Sequence, residues 1–535
     1  MATNRLSIIL HAHLPFVRHI EYPRFLEEDW LFESLSETYL PMLRMFRKLR
    51  SEGLSFRLTF SLSPTLCAML ADAALQERFI RYLELHKELG EKEIQRCGVE
   101  QPDCVPLAQM YYNQTLSNLS DFCDLYHNNV LEGFQDLEAS GHLDLITTAA
   151  THAYLPLYAD YPTAIKAQVE VAIQSHIRHF KKSPKGFWLP ECGYFPGLEE
   201  YLRKQEVEWF QVSSHSMLLA SEPVKCGDYS PVRCPDGVAA FPRDYHLTSL
   251  VWSNTEGYPC DSHYREFYRD IGYDLPMDYI RPYIHEPEVR VFTGYKYWAI
   301  TGPTNEKKVY QPEIAARKVQ EHADNFIYRV KMKGRSLEPS LHGESPFYTL
   351  GFDAELFGHW WFEGIDWLEA VIRRALTTED ISLTTPLDCL NASPDLQVVQ
   401  PGYSSWGQGG YSSVWLDGSN AWIYRHIHKA IDRMEELAIR FPDQQSLKQR
   451  FLNQASREVL LSMASDWPFI LHNKTSVGYA DKRLRDHLCN FNLVYENMCK
   501  NAVNTEWLVK AEKRDNIFPD MDYNIFNPDF NSGRG

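Results

Sequence analysis

The sequence predicts an α/β barrel of parallel strands followed by a C-terminal helical domain. Three observations carry that prediction. Short apolar runs end repeatedly in polar or turn-forming residues, as Leu6–Leu10 does before His11. Between two such runs Ile165, Val169, Ile173 and Ile177 recur every four residues, marking one apolar face of a helix. Strand, helix, strand implies parallel pairing with a right-handed crossover. From Ala421 to about Cys499 the spacing turns helical throughout, as in Ile423, Ile427 and Ile431.

Taken in order, Leu6–Leu10 reads as a buried strand running into His11-Ala12-His13, and a helix follows near Leu31–Leu49. Leu54–Phe60 reads as the second strand, then Ser63 as an N-cap with Pro64 at the first helical position. Residues 68–140 are mostly helical in pattern. Leu143–Thr148 is a strand ending at Thr151-His152-Ala153-Tyr154, and Lys182–Lys185 turns the chain into the run that ends at Glu191. Val207–Val212 and Val289–Phe292 are weaker strand candidates, and Phe347–Phe352 leads into Asp353. Two long irregular segments, Cys226–Thr304 and Asn391–Asn420, carry Trp252, Trp298, Trp406 and Trp415. Structureless stretches beyond ~15 residues usually serve as lids or binding loops. The expected division is a barrel over 1–390 with an insertion at 226–304, a Trp-bearing loop over 391–420, a helical domain over 421–510 and a tail over 511–535, whose last twenty or so residues read either as a free tail or as a packed extended strap.

Bulk properties narrow the partners. With 44% hydrophobic and 23% charged residues in 535, the composition is that of a folded, multidomain protein. A net charge of −17 excludes a nucleic-acid partner, because no basic stripe is present to neutralise phosphates. The 11 cysteines are scattered without metal-type spacing, which fits a reducing cytosol. Leu6–Leu10 is too short for a signal sequence and no run approaches a membrane span, so a soluble cytoplasmic protein is expected.

The polar residues at strand ends indicate chemistry. His11, His13, His152, Glu191 and Asp353 each follow a predicted strand, and in a parallel barrel those ends converge on one mouth. Two carboxylates among aromatic residues suit cleavage or transfer of glycosidic bonds, where one acid attacks or assists water and the other protonates the leaving oxygen. Two other readings stay open from the residues alone. His11-Ala12-His13 with His152 and Asp353 could ligate a metal in an amide hydrolase. The Trp-bearing loops also suit a non-catalytic glycan-binding protein.

Several motifs together resemble glycoside hydrolase family 57, and within it the 1,4-α-glucan branching enzymes. They are HAHLPF at 11–16, THAYLPL at 151–157, WLPECGY at 188–194, GFDAELFGHWWFEG at 351–364 and WGQGGYSSVWLDG at 406–418. YREFYRDIGYDLP at 264–276 and SDWPFILH at 465–472 resemble the branching-enzyme group more narrowly. The resemblance spans His11 to about Phe491. It implies an incomplete (β/α)7 barrel with helical insertions, a retaining mechanism, no cofactor, no metal, and an α-glucan substrate. Glu191 would be the nucleophile and Asp353 the general acid and base. His11, His13 and His152 would hydrogen-bond the sugar, Trp30, Trp360, Trp406 and Trp415 would stack on it, and His359 would support the acid. Tyr229 would tip a mobile loop over the site. A monomer or small homo-oligomer is expected, without membrane contact. An α-amylase-type hydrolase or a 4-α-glucanotransferase of the same family is the alternative. The chain departs from the family pattern at Thr148-Ala149 before Ala150-Thr151-His152, where Cys-Gly is expected, and after that triplet, where a Gly is expected, as well as at Ala421 and at Cys260.

Overall fold

The computed structural model describes residues 3–530 apart from 254, 286, 287, 342 and 394, so 531–535 of the expected tail lie outside the described residues. Among the described residues nine strands form one sheet: β1 (Asn4–Ala12), β2 (Leu58–Leu62), β3 (Leu143–Thr148), β4 (Gly186–Trp188), β5 (Trp209–Ser213), β6 (Val232–Arg233), β7 (Ala239–Arg243), β8 (Phe347–Asp353) and β9 (Ile381–Leu383). The order β2-β3-β4-β5-β7-β8-β1 is parallel throughout, and β1 pairs back to β2, which closes a ring of seven strands. β6 runs antiparallel to β7, and β9 joins the start of β1.

The period-two alternation of strands explains the layering. Ile9, Ile146, Trp188, Trp209, Phe241 and Phe347 form one buried cluster drawn from six ring strands. Leu6, Ile8 and Leu10 belong instead to the large outer cluster shared with the helices. Strands covered on both faces read as continuous apolar runs, as β1 does. By the same alternation His11 shares the inner face with Ile9, Ser61 with Thr59, and Asp353 with Phe347.

Some local expectations hold to the residue. Ser63 Oγ accepts the N–H of Leu66, with Pro64 at the first helical position. In helix Pro162–Phe180, Ile165, Val169 and Ile173 are buried. Others shift. Leu54 belongs to a helix stop rather than a strand, because its N–H returns to Leu49 O at 3.1 Å after Gly53 turns left-handed at φ 78°. Val289–Phe292 forms no strand, and only Val289 makes a bridge, to His285. Two strands unforeseen in that part of the chain are the short β6 and β7, the latter containing Pro242. Asp244 N donates to Thr349 O, so the ring nitrogen two residues earlier points the same way, toward β8. There β7 and β8 share only the pair Arg243↔Thr349, and the missing donor costs little.

Beyond the barrel, helices Tyr424–Arg440, Ser446–Ser462, Asp466–Asn473, Val477–Cys499 and Thr505–Arg514 pack as a C-terminal helical region. The last of them crosses the boundary expected at 510. After it the chain does not hang free: Ile517, Phe518, Met521, Tyr523, Ile525 and Phe526 are buried. This strap reaches helix Pro162–Phe180 through Arg178–Asp520 at 2.8 Å and Lys166 Nζ to Phe530 O at 2.5 Å. Among the described residues no helix is long and apolar enough to cross a membrane.

Candidate active site

A cavity of about 1030 Å³ opens where the ring strands end. Its lining includes His11, His13, His152, Glu191 and Asp353, together with Trp30, His359, Trp360, Trp406 and Trp415. Four separate chain units thus converge as the barrel rule requires.

Glu191 is held by strain and by donors. It sits in the tight turn Pro190–Cys192 after β4 at φ 59°, ψ 22°, a left-handed conformation that non-glycine residues seldom adopt. Cys192 N and Gly193 N close successive turns onto Leu189 O and Pro190 O, both at 2.9 Å. Gly193 admits no side chain, since a Cβ there would lie 2.5 Å from the Tyr154 ring. Trp406 Nε1 donates to Glu191 Oε2 at 2.8 Å and Ser465 Oγ donates to Oε1 at 3.0 Å. Burial still raises the pKa of this carboxyl, with the two hydrogen bonds working against it.

Asp353 ends β8 in ordinary extended geometry, φ −65°, ψ 133°. Among the described residues its carboxyl accepts no hydrogen bond. Burial raises its pKa well above the usual carboxylate range, and the charges of Glu355 and then Glu191 add to the effect against Arg243. The two acids line the same cavity. Glu355 is a third carboxyl at the mouth, accepting from Tyr39 Oη and from His13 N at 3.3 Å. Burial pushes its pKa up to about 7.

The three histidines are engaged with one another and with neighbouring side chains. His11 Nδ1 meets Ser61 Oγ at 3.0 Å, and its Nε2 meets His152 Nε2 at 3.0 Å. His152 Nδ1 meets Ser465 Oγ at 2.9 Å. Both nitrogens of both rings are thus already engaged. Burial lowers both pKa values well below 6.5, and the neighbouring histidines lower them further. His13 stacks on His152 with ring centroids 3.9 Å apart and pairs through Nε2 with Asp466 at 3.2 Å. The clusters of His, Cys, Asp and Glu close enough to share an ion, among the described residues, are Glu199–Cys234–Asp236 and Glu458–His487–Asp515, neither of them at the mouth.

The remaining expected residues divide. Trp30 borders the cavity and Trp360 is 45% exposed, so both keep faces open to a ligand. Trp415 is almost wholly buried and stacks on Tyr154 at 4.5 Å. His359 pairs with Glu37, Nδ1 to Oε2 at 2.6 Å, rather than with Asp353. That contact, against the effect of burial, holds Glu37 at a pKa of about 2. Tyr229 does not line the cavity. It packs against Tyr348 and under Lys333, whose Nζ lies 4.9 Å from the ring centre. Tyr348 points outward from β8, so Tyr229 lies against the barrel wall instead of over the mouth.

Sequence reasoning did not single out Glu355, Arg243, Ser465 or Asp466, all of which touch this constellation. Arg243 Nε donates to Gly351 O at 3.3 Å, and its guanidinium stands 5.3 Å over the Trp406 ring. Glu355 lay two residues beyond Asp353 within the same motif. Ser465 and Asp466 carried a signal only as part of SDWPFILH, to which no role was attached.

Residues 7–401 match Glycosyl hydrolase family 57. The chain belongs to that family. Residues 426–526 match the C-terminal region of 1,4-alpha-glucan branching enzyme. Among solved structures, this family 57 chain is similar to the alpha-amylase AmyC from Thermotoga maritima, with a TM-score of 0.93 and 40% identity over 99% of this chain and 100% of that one. It is also similar to the GH57-type branching enzyme of Pyrococcus horikoshii, with a TM-score of 0.87 and 30% identity over 98% and 97%. The 1,4-alpha-glucan branching enzyme TK1436 of Thermococcus kodakarensis is 30% identical over 96% of this chain and 77% of its own length.

Proposed function

We propose that the chain is a 1,4-α-glucan branching enzyme that cleaves α-1,4 links and transfers the released chain to a 6-hydroxyl, forming α-1,6 branches in a glycogen-type glucan. One observation carries the reading: the part that matches branching-enzyme C-terminal regions also brings Ser465 and Asp466 to the barrel mouth.

The chemistry follows from the two acids. Glu191 attacks the anomeric carbon while Asp353 gives its proton to the departing 4-oxygen, leaving a glycosyl ester on Glu191. Asp353, now ionised, takes the proton of the incoming 6-hydroxyl as that oxygen displaces Glu191. The anomeric configuration is retained. Trp30 and Trp360 offer faces to sugar rings, and the wall provided by segments 226–304 and 391–420 limits access of water.

A hydrolytic reading has support of its own. The 40% likeness is to a protein titled an alpha-amylase, and Tyr229 lies away from the cavity it was expected to cover. Purified protein incubated with amylose, with and without EDTA, separates the two. New short chains after α-1,6-specific debranching, with few reducing ends beforehand, support branching. Reducing ends without new branches would establish hydrolysis instead, and a shift in linear chain lengths alone would indicate 4-α-glucan transfer. An EDTA effect would reopen the metal question.

Eleven free thiols favour a cytoplasmic location, and a monomer or small homo-oligomer suits a cavity built within one chain. The proposed units are a barrel over 1–390, a Trp-bearing wall over 391–420, a helical unit over 421–510 and a strap from 511.

A further inference from the structure

We propose that Ser465, contributed by the C-terminal helical region, is a positioning residue for Glu191, and that it ends a one-way hydrogen-bond chain running Ser61, His11, His152, Ser465, Glu191. The proposal rests on Glu191 being the nucleophile.

The direction of the chain follows from counting protons. An ionised carboxylate only accepts, so Ser465 Oγ–H must donate to Glu191 Oε1 across 3.0 Å. The same oxygen then receives His152 Nδ1–H across 2.9 Å. A neutral His152 with its proton on Nδ1 has a bare Nε2, which accepts His11 Nε2–H across 3.0 Å. His11 Nδ1 is in turn bare and accepts the Ser61 hydroxyl across 3.0 Å. Every proton has one place, and the only charge in the chain is that of the Glu191 carboxylate at its end. Burial favours that state, since Ser61, His11, His152 and Ser465 all lie in the interior, where a charged imidazole is penalised. Linked donors polarise one another, so the final hydroxyl is a stronger donor than a solitary serine. The nucleophile is steadied by neutral donors, Ser465 Oγ–H and Trp406 Nε1–H.

Ser465 is fixed where it is by backbone. Its N–H donates to His152 O at 3.0 Å, Ala464 bridges Ala153, and Thr151 Oγ1 donates to Leu460 O. His152 meets this partner from a left-handed conformation, φ 56°, of the kind that persists when surrounding contacts over-determine it. The loop after β3 and the turn before helix Asp466–Asn473 are therefore stitched together beneath Glu191. The helical region completes the nucleophile's setting as well as covering the barrel.

Full-length Ser465→Ala and Ser465→Cys test this, with Glu191→Gln as control. Cysteine has the connectivity of serine in a slightly larger side chain and is a much weaker donor, so it decides the matter should the alanine variant fail to fold by circular dichroism. On amylose, kcat is expected to fall about ten- to a hundredfold for either variant, with KM within about twofold. The acid limb of the kcat/KM profile should move to higher pH, because an acceptor that loses a donor is harder to ionise. The groups facing Glu191 that also set this limb are His152, His13, Asp466 and Asp353, and none is altered. Labelling of Glu191 by 5-fluoro-α-glucosyl fluoride, followed by mass spectrometry, should slow in parallel. A folded variant with kcat within about threefold of wild type and an unmoved acid limb overturns the proposal. So does a rise in KM with kcat unchanged, which would make the serine a sugar ligand. Should Glu191→Gln stay active or the label land elsewhere, the nucleophile reading fails instead.

Discussion

The two acids at the barrel mouth are held in opposite ways. Glu191 lies in a strained left-handed turn with a donor on each oxygen, Trp406 on one and Ser465 on the other. Asp353 ends a relaxed strand, accepts no hydrogen bond among the described residues, and faces the charges of Glu355 and Glu191. Donors favour the anion, whereas burial beside like charges favours the neutral acid. Division of labour between paired carboxyls arises this way: environments that push the two titrations apart assign one to attack and the other to proton delivery.

The largest test of this contrast removes each acid in turn. Glu191→Gln should lower turnover of amylose by on the order of 10⁴-fold or more and form no ester with any substrate. Asp353→Asn should lose about 10²–10⁴-fold on amylose. With an aryl glycoside, whose phenolate leaves unprotonated, it should still accumulate the Glu191 ester, visible by mass. If both variants behave alike in that assay, the roles are not divided as stated.

A smaller effect is expected from Trp406→Phe, which keeps a ring and removes the Nε1 donor to Oε2. Turnover should drop about tenfold, with the acid limb of the rate profile moving up in pH. An unmoved limb would mean that Trp406 serves only as a wall. Glu355→Gln acts on the other acid. Its charge raises the Asp353 pKa, so removing it lowers that pKa, and the alkaline limb, which reports loss of the proton from Asp353, should shift to lower pH. A limb that stays put or rises would show that Asp353 does not set it. The smallest effect belongs to Tyr229→Ala, placed against Tyr348 and Lys333: α-1,4 cleavage should stay within about twofold. A collapse of activity would show that the 226–230 loop swings over the mouth during turnover.

Much of the barrel was legible because parallel strands leave a strong local signature. β1, β3 and the strand into Asp353 are buried on both faces and carry short apolar runs that stop at polar residues, and helix Pro162–Phe180 repeats its apolar face regularly. β7 was not legible, since Pro242 argues against a strand unless the sparsely paired side of that strand is known. β9, at three residues, is too short to carry a pattern. For the terminal segment the sequence left a free tail and a packed strap both open, because its apolar residues have no period and find their cover only on other elements.

The sequence by itself determined the parallel strands, their polar tips and the family's paired acids, because each depends on neighbours along the chain. Tertiary structure alone decided what those tips do to one another. Glu191 and Ser465 are 274 positions apart, and His11 and His152 are 141 apart. No local pattern reports whether an imidazole nitrogen is free for a sugar or already shared with another side chain. Nor could spacing tell that His359 would find Glu37 or that Tyr229 would turn to the barrel wall. Residue types record which chemistry is possible, whereas hydrogen-bond commitments and desolvation, which select the chemistry that happens, exist only once distant segments have packed.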